Sequence, residues 1–366
     1  MDPRGLIAKR LPLVARFRPA CLALPARVRA LVDLAATAVR EQAQGNASAV
    51  YNQAALIASD LGATRLAQKL CHQHAAAFLQ ASPLTGESAI RGLEPVVNLA
   101  RLQIRAGRVD EGRQCLQSLY EAVEQGVAAR FGDVVVPADL TVSDEDRHEV
   151  LAWLWRVLLA DGTRTLTTVG RWTEALAHIE KHRGLGRRML DGRQVAVLAA
   201  LTSGETKRAA ELLVSTAPGD PWEQAVTASL TVLCRRDAKQ PVKEHLHRLV
   251  DTFLKSPTQH GMTVFEIRLG LTILDTMCVT DPDAGRIVAE LHRRTVAAND
   301  GYAARENLTH PLFAALATLQ QMSDCRNLVS ACRLGAGTFS GALHDELMNA
   351  VNMSDRVIRN SLRAIG

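Results

Sequence analysis

His178 and His182 stand four residues apart in a stretch whose apolar spacing predicts a helix, so their imidazoles share one face and offer two ligands to a metal ion. The segment Ala177-His178-Ile179-Glu180-Lys181-His182 places its glutamate differently from the metalloprotease pattern, and no third ligand is recognisable. Ordinary packing is therefore the expectation, with no metal and no cofactor. His72 with His74, and His245 with His247, are only two apart. On a helix such rings diverge by about 200° and cannot chelate together. The run Gly335-Ala336-Gly337-Thr338-Phe339-Ser340-Gly341 has the composition of an anion-cradling loop, since successive N–H groups ahead of a helix can hold a phosphate. A dinucleotide loop follows a strand, however, and a P-loop carries lysine after its last glycine. Here a helix is expected before the run and Ala342 follows it, which makes it an inter-helix turn. Gly184 and Gly186, beside Arg187 and Arg188, are read the same way. No Gly-x-Ser-x-Gly elbow, paired zinc-type cysteines or aspartate-rich diphosphate motif occurs. The residues point away from an enzyme, with an enzyme on a helical scaffold kept as an alternative.

Other polar clusters have structural roles. Ser143-Asp144-Glu145-Asp146 reads as a helix N-cap with acids in the first turn, and Asp220, Asp281 and Asp283 sit at similar starts. Trp153, Trp155 and Trp172 stand close together in a chain poor in aromatics. Core packing is their expected role and a partner anchor the alternative.

These residues must be positioned by a chain of 366 residues, which is long for one compact core. Two or three domains, or a stacked array of repeats, are expected. Hydrophobic residues make up 47% and charged residues 22%, a balance that suits a folded domain and excludes a disordered one. No run approaches the ~20 apolar residues of a spanning helix. The basic, apolar start is not a secretory signal, because Arg16, Arg18, Arg27 and Arg29 are scattered through it. A cytoplasmic protein is expected, and the odd, widely spaced set of seven cysteines suits a reducing compartment. Net charge is +5, concentrated in residues 1–40, where eight basic side chains face two acidic ones. That arm makes nucleic-acid association the alternative to protein binding, although its prolines and the lack of a helix-turn-helix argue against reading of sequence.

Four segments align without gaps on a turn glycine: Gly62, Gly107, Gly170 and Gly204. Five residues after each stands a small residue (Ala67, Gly112, Ala175, Ala209), and nine after each an apolar one (Cys71, Leu116, Ile179, Leu213). That spacing puts both on one face of a second helix. Seven before each glycine stand Ala55, Ala100, Thr163 and Val197, mostly small, which lets two helices approach closely. The glycines suit the left-handed conformation that ends a helix before a tight turn. Gly170 and Gly204 are 34 apart, and Pro221 stands where a unit would close.

The pattern over residues 46–221 resembles tetratricopeptide repeats, although the usual aromatic four before the glycine is replaced by Ala58, Gln103, Leu166 and Ala200. The resemblance implies an all-α, TPR-like α-solenoid of helical hairpins whose first helices line a concave groove. Carried onto this chain, the groove positions are Asn52, Leu56 and Asp60, then Arg101 and Arg105, then Arg164 and Thr167, then Gln194 and Leu198. Of these, Asn52, Arg101, Arg105, Arg164 and Gln194 are the candidate ligand contacts. Three arginines and two amides on one surface suit a protein or peptide partner, an acidic one in particular, because arginine binds carboxylate bidentately. The implied role is that of a non-enzymatic scaffold, adaptor or regulatory sensor.

The expected divisions are a basic N-terminal segment with a capping helix over 1–45, the repeats over 46–221 with an insertion near 125–150, and further helical hairpins over 222–366 continuing the array. Residues 131–142 could hold strands, but their length and Pro137 favour a structured loop. Residues 1–23 are broken by Pro3, Pro12 and Pro19 yet carry Leu6, Ile7, Leu11, Leu13, Val14 and Phe17, too apolar to remain in water. They are expected to pack back across the first hairpin as a cap, with exchange into a homodimer as the alternative.

Overall fold

The computed structural model describes residues 1–364, which are almost wholly helical. The chain runs through α1 (Leu6–Arg10), α2 (Leu24–Glu41), α3 (Gln44–Asp60), α4 (Thr64–Leu79), α5 (Gly86–Arg105) and α6 (Val109–Gln125). A short hairpin follows, β1 (Ala129–Phe131) and β2 (Val134–Val136), then α7 (Asp144–Val157), a π-helical turn (Leu158–Gly162) and α8 (Thr163–Thr168). Next come α9 (Trp172–Lys181), α10 (Asp191–Thr202), α11 (Thr206–Val214), α12 (Pro221–Asp237), α13 (Lys243–Lys255) and α14 (Thr263–Leu274). The last are α15 (Pro282–Ala298), α16 (Gly301–Leu308), α17 (Pro311–Leu316), α18 (Leu319–Ala331) and α19 (Gly341–Arg363).

The four anchor glycines do the same thing four times. Gly62, Gly107, Gly170 and Gly204 have φ of +82°, +81°, +79° and +78°, the left-handed region. Each sits in the middle of a three-residue gap between helices. In each, the residue after the glycine donates to a carbonyl five back: Ala63 to Ala58 at 2.9 Å, Arg108 to Gln103 at 3.0 Å, Arg171 to Leu166 at 3.0 Å and Glu205 to Ala200 at 2.8 Å. This Schellman closure satisfies carbonyls that a helix end leaves open. Beyond the turn the small-then-apolar pair faces inward: Ala67, Ala175 and Ala209 are fully buried, and Cys71, Leu116 and Ile179 nearly so. At Gly112 the approach leaves no room for a side chain, since a Cβ there would lie 2.6 Å from Ile104 Cγ1 and 2.8 Å from the Ala100 carbonyl oxygen.

The described chain forms two compact units, each discontinuous in sequence. The α3 unit holds residues 24–165 and the segment from Arg333 onward. Here α2 to α7 pack in succession, and α19 lies against α2, α3 and α4. Its core runs from Leu24 and Val28 through Leu70, Phe78, Leu93 and Leu116 to Leu347 and Ile358. The α10 unit holds residues 1–23 and 166–332, with a separate core that includes Trp172, Ile179, Leu198, Phe253, Leu291 and Phe313.

Three expectations are corrected here. The units do not part after residues 45 and 221; the region 222–366 is shared, with 222–332 in the α10 unit and α19 in the α3 unit. The cause is the strong apolar stripe of α19, whose Leu347, Ala350, Val351 and Ile358 are buried against α2 and α3. Residues 1–23 do not cap the first hairpin. They belong to the α10 unit, where Ala8, Leu11 and Leu13 are buried in its core. Finally, residues 129–136 form an antiparallel hairpin with Phe131 paired to Val134. Gly132, with φ +61°, and Asp133 supply the two-residue turn. Pro137 lies just past the second strand and so removes no ladder hydrogen bond.

Candidate functional site

The implied groove positions of the first two repeats lie on α3 and α5, which pack side by side in the α3 unit. On α5, Glu94, Asn98, Arg101 and Arg105 recur at spacings of four, three and four, which aligns them along one stripe. Asn52 of α3 donates to Glu94 Oε2 at 2.7 Å and accepts from Asn98 Nδ2 at 2.9 Å. Arg101 continues the ladder, donating to Asn98 Oδ1 at 3.0 Å and to Asp161 Oδ2 at 2.7 Å. Asp161 lies in the π-helical turn, so this irregularity of the backbone carries the carboxylate that meets Arg101. Farther along, Arg105 donates to Ser59 Oγ at 2.6 Å and stands 3.9 Å from Asp60, which also pairs with Arg27 at 2.7 Å. At the other end Gln44 accepts from Ser88 and Arg91 at 3.1 and 2.9 Å.

The result is a polar seam that links two helices and leaves the Arg101 and Arg105 side chains about half exposed. Burial pushes the Glu94 carboxyl above its ordinary value, against the opposing pull of the Asn52 hydrogen bond and of the Arg91 and Arg101 charges. Because Asp161 and Asp60 already stand beside the guanidinium groups, an acidic ligand would have to compete with carboxylates of the chain itself. Amide and guanidinium N–H groups along a straight stripe can also address the carbonyls of an extended peptide.

Asn52, Arg101 and Arg105 are thus brought together. Arg164 is exposed at the start of α8. Gln194 is not a surface residue. It is fully buried in the α10 unit, where its side-chain amide accepts from Leu13 N at 2.7 Å and donates to the Leu13 carbonyl at 2.6 Å. Every residue of α10 from Gly192 to Leu201 is buried, because α9, α11 and α12 pack on it, the N-terminal segment reaches it at Leu13, and Val195 to Leu201 are all apolar. The unbroken apolar run from Val195 to Leu201 is the signal in the sequence. Asn98 and Glu94 were not named from the sequence, although their four-residue spacing with Arg101 close by was visible.

The histidine pairs behave differently from one another. His178 and His182 touch, with ring centroids 4.6 Å apart, and partial burial, followed by the nearby charges of His178 and Lys181, holds His182 below the ordinary range. Among the described residues no three or more His, Cys, Asp or Glu come together as a metal site. His72 faces Asp133 of the hairpin at 3.4 Å, while His74 points into the core. There it is hydrogen-bonded to Ser48 Oγ at 3.0 Å and stacked on Tyr51 at 4.8 Å. The glycine run also has a structural use: Gly335 N donates to the Asp60 carbonyl at 2.8 Å and Gly337 N to that of Leu61 at 2.6 Å. These two N–H groups therefore close the C-terminal end of α3.

Trp172 is a core residue whose Nε1 donates to the Pro3 carbonyl at 3.0 Å, whereas Trp155 is partly exposed. Of the basic arm, Arg10 pairs with Asp275, Arg16 with Asp191 and Arg27 with Asp60, and Arg18 lies 3.9 Å over the Tyr302 ring. Among the described residues no helix is long and apolar enough to cross a membrane. No family model, no curated protein and no solved structure matches this chain.

Proposed function

We propose that the chain is a non-enzymatic, TPR-like scaffold that binds a segment of a partner protein along the α3–α5 seam. The observation that carries this reading is the stripe Asn52, Asn98, Arg101 and Arg105, where amide and guanidinium groups reach the surface of two adjacent helices at regular spacing. Glu94 and Asp161 hold Asn52 and Arg101 in fixed orientations, which lowers the ordering cost of binding an extended peptide. The partner is an extended segment whose carbonyls, with a carboxylate at one or two positions, meet the donors of the stripe. The internal pairing of the basic arm favours this reading over nucleic-acid association.

The test is retention of an array of short peptides, acidic and neutral, by the wild-type chain and by the triple substitution Arg101→Glu, Arg105→Glu and Arg164→Glu. The wild type should retain a subset containing carboxylates, and the variant should lose that subset while keeping its helical circular dichroism. Equal retention by a folded variant would remove the seam from the binding surface.

A further inference from the structure

The α10 unit holds residues 10–21 of its own chain in a groove. We propose that this groove is a receptor for an extended peptide of a partner protein, with arginine followed by apolar residues one and three positions later, and that Arg10, Leu11 and Leu13 are its resident occupant. The inference does not depend on the α3–α5 seam, which lies in the other unit.

Residues 11–23 form neither helix nor strand, yet their main chain is bonded to groups outside the segment at separate points. Leu13 is paired in both directions by the Gln194 side chain, in the manner of a neighbouring strand. Arg18 N donates to the Gly261 carbonyl at 2.8 Å. Cys21 N donates to Asp300 Oδ1 at 3.1 Å, and its carbonyl accepts from Gly301 N at 2.9 Å and Cys332 Sγ at 2.8 Å. The groups that hold it come from α10, the turn before α14, the start of α16 and the end of α18, so the segment crosses helices and does not extend any of them.

The side chains have separate partners. Leu11 and Leu13 enter the apolar core, and Arg10 meets Asp275 at 2.5 Å. His310 fixes that carboxylate. Its Nδ1 accepts from Phe313 N, so Nε2 carries the proton and donates to Asp275 Oδ1 at 3.0 Å, leaving Oδ2 for the arginine. Arg18 stacks on the Tyr302 ring, which is itself buried. Main-chain pairing by a buried side-chain amide, with spaced pockets for alternate residues, is how a receptor holds a linear peptide. Gln194 also donates to the Met189 carbonyl at 3.2 Å, within its own unit, which fixes the amide in the orientation that meets the Leu13 main chain. Between the bonded points Arg16, Phe17 and Pro19 are exposed, so the segment is held at discrete points and not along its whole length.

The test adds a fluorescent synthetic peptide of residues 5–23 to the full chain and follows its anisotropy. The wild-type chain, with its groove filled, should leave the peptide free. A full chain carrying Arg10→Glu and Leu13→Asp in the resident segment should bind it saturably, and placing the same two changes in the peptide should weaken binding by at least about tenfold. A variant with intact helical circular dichroism that ignores the wild-type peptide overturns the proposal. If the variant loses its helices, hydrogen exchange on the wild type decides. Leu13, Arg18 and Cys21 amides exchanging well ahead of the slowest α10 amides support a releasable occupant, and equal rates overturn it. A wild-type dimer whose copies exchange residues 1–23 would also overturn it, by making a second copy the ligand.

Discussion

At the residue scale, conformation and protonation have separate tests. Gly107 has open space where a Cβ would stand, so Gly107→Ala isolates the cost of a left-handed backbone, about 1–2 kcal/mol. Gly112→Ala adds a clash with Ile104 and with the Ala100 carbonyl, and should lower the denaturation midpoint further than Gly107→Ala does. Equal effects would mean that α5 and α6 can move apart freely. Burial drives the His74 pKa from its ordinary 6.5 down to about 3. Between those values the unfolded chain binds a proton that the folded chain does not. Stability should therefore fall as pH falls through that window, by as much as about 1.4 kcal/mol per unit. The pair Ser48→Ala with His74→Phe removes both hydrogen-bonding partners, so its melting temperature should depend less on pH between 6.5 and 4 than that of the wild type. An unchanged dependence would place acid sensitivity in the carboxylates instead. Much at this scale was legible in the sequence. The turn glycines, the buried residues five and nine positions after them, and the N-cap of Ser143, which accepts from Asp146 N, follow from local spacing alone. Asp161 as the partner of Arg101 was not legible, because 60 residues and a π-helical turn separate them from any local pattern.

At the scale of elements, the hairpins between α3 and α4, α5 and α6, and α10 and α11 follow from their turns, whereas the placing of the N-terminal segment does not. Its apolar residues announced that it must dock, but an apolar stripe does not say which surface it will meet. The clue lies in α10, whose residues Val195 to Leu201 are all apolar and leave that stretch no side for water. Two incomplete elements, one without secondary structure and one without a solvent side, complete each other. Gln194→Leu would leave the Leu13 N–H and carbonyl buried without partners and should destabilise the chain by roughly 2–4 kcal/mol. Chemical denaturation reads this directly, and a loss below about 0.5 kcal/mol would show that water replaces the amide at little cost. The β-hairpin differs from the expected loop for a simpler reason. Pro137 argues against pairing only from within a strand, and the strands end at Val136.

At the scale of the whole molecule, each unit joins stretches far apart in sequence: residues 24–165 with α19, and residues 1–23 with 166–332. Local periodicity cannot reveal such closures, since the residues that decide them are hundreds of positions apart. The proposed function rests on the α3–α5 seam as a peptide-binding face, and hydrogen exchange of the wild-type chain with and without an array-selected peptide containing carboxylates tests it. New protection should be confined to residues 44–60 and 94–105 and be absent when Arg101 and Arg105 are both glutamate. Protection that falls only on α10 and residues 10–21, or that survives in the double variant, would contradict it.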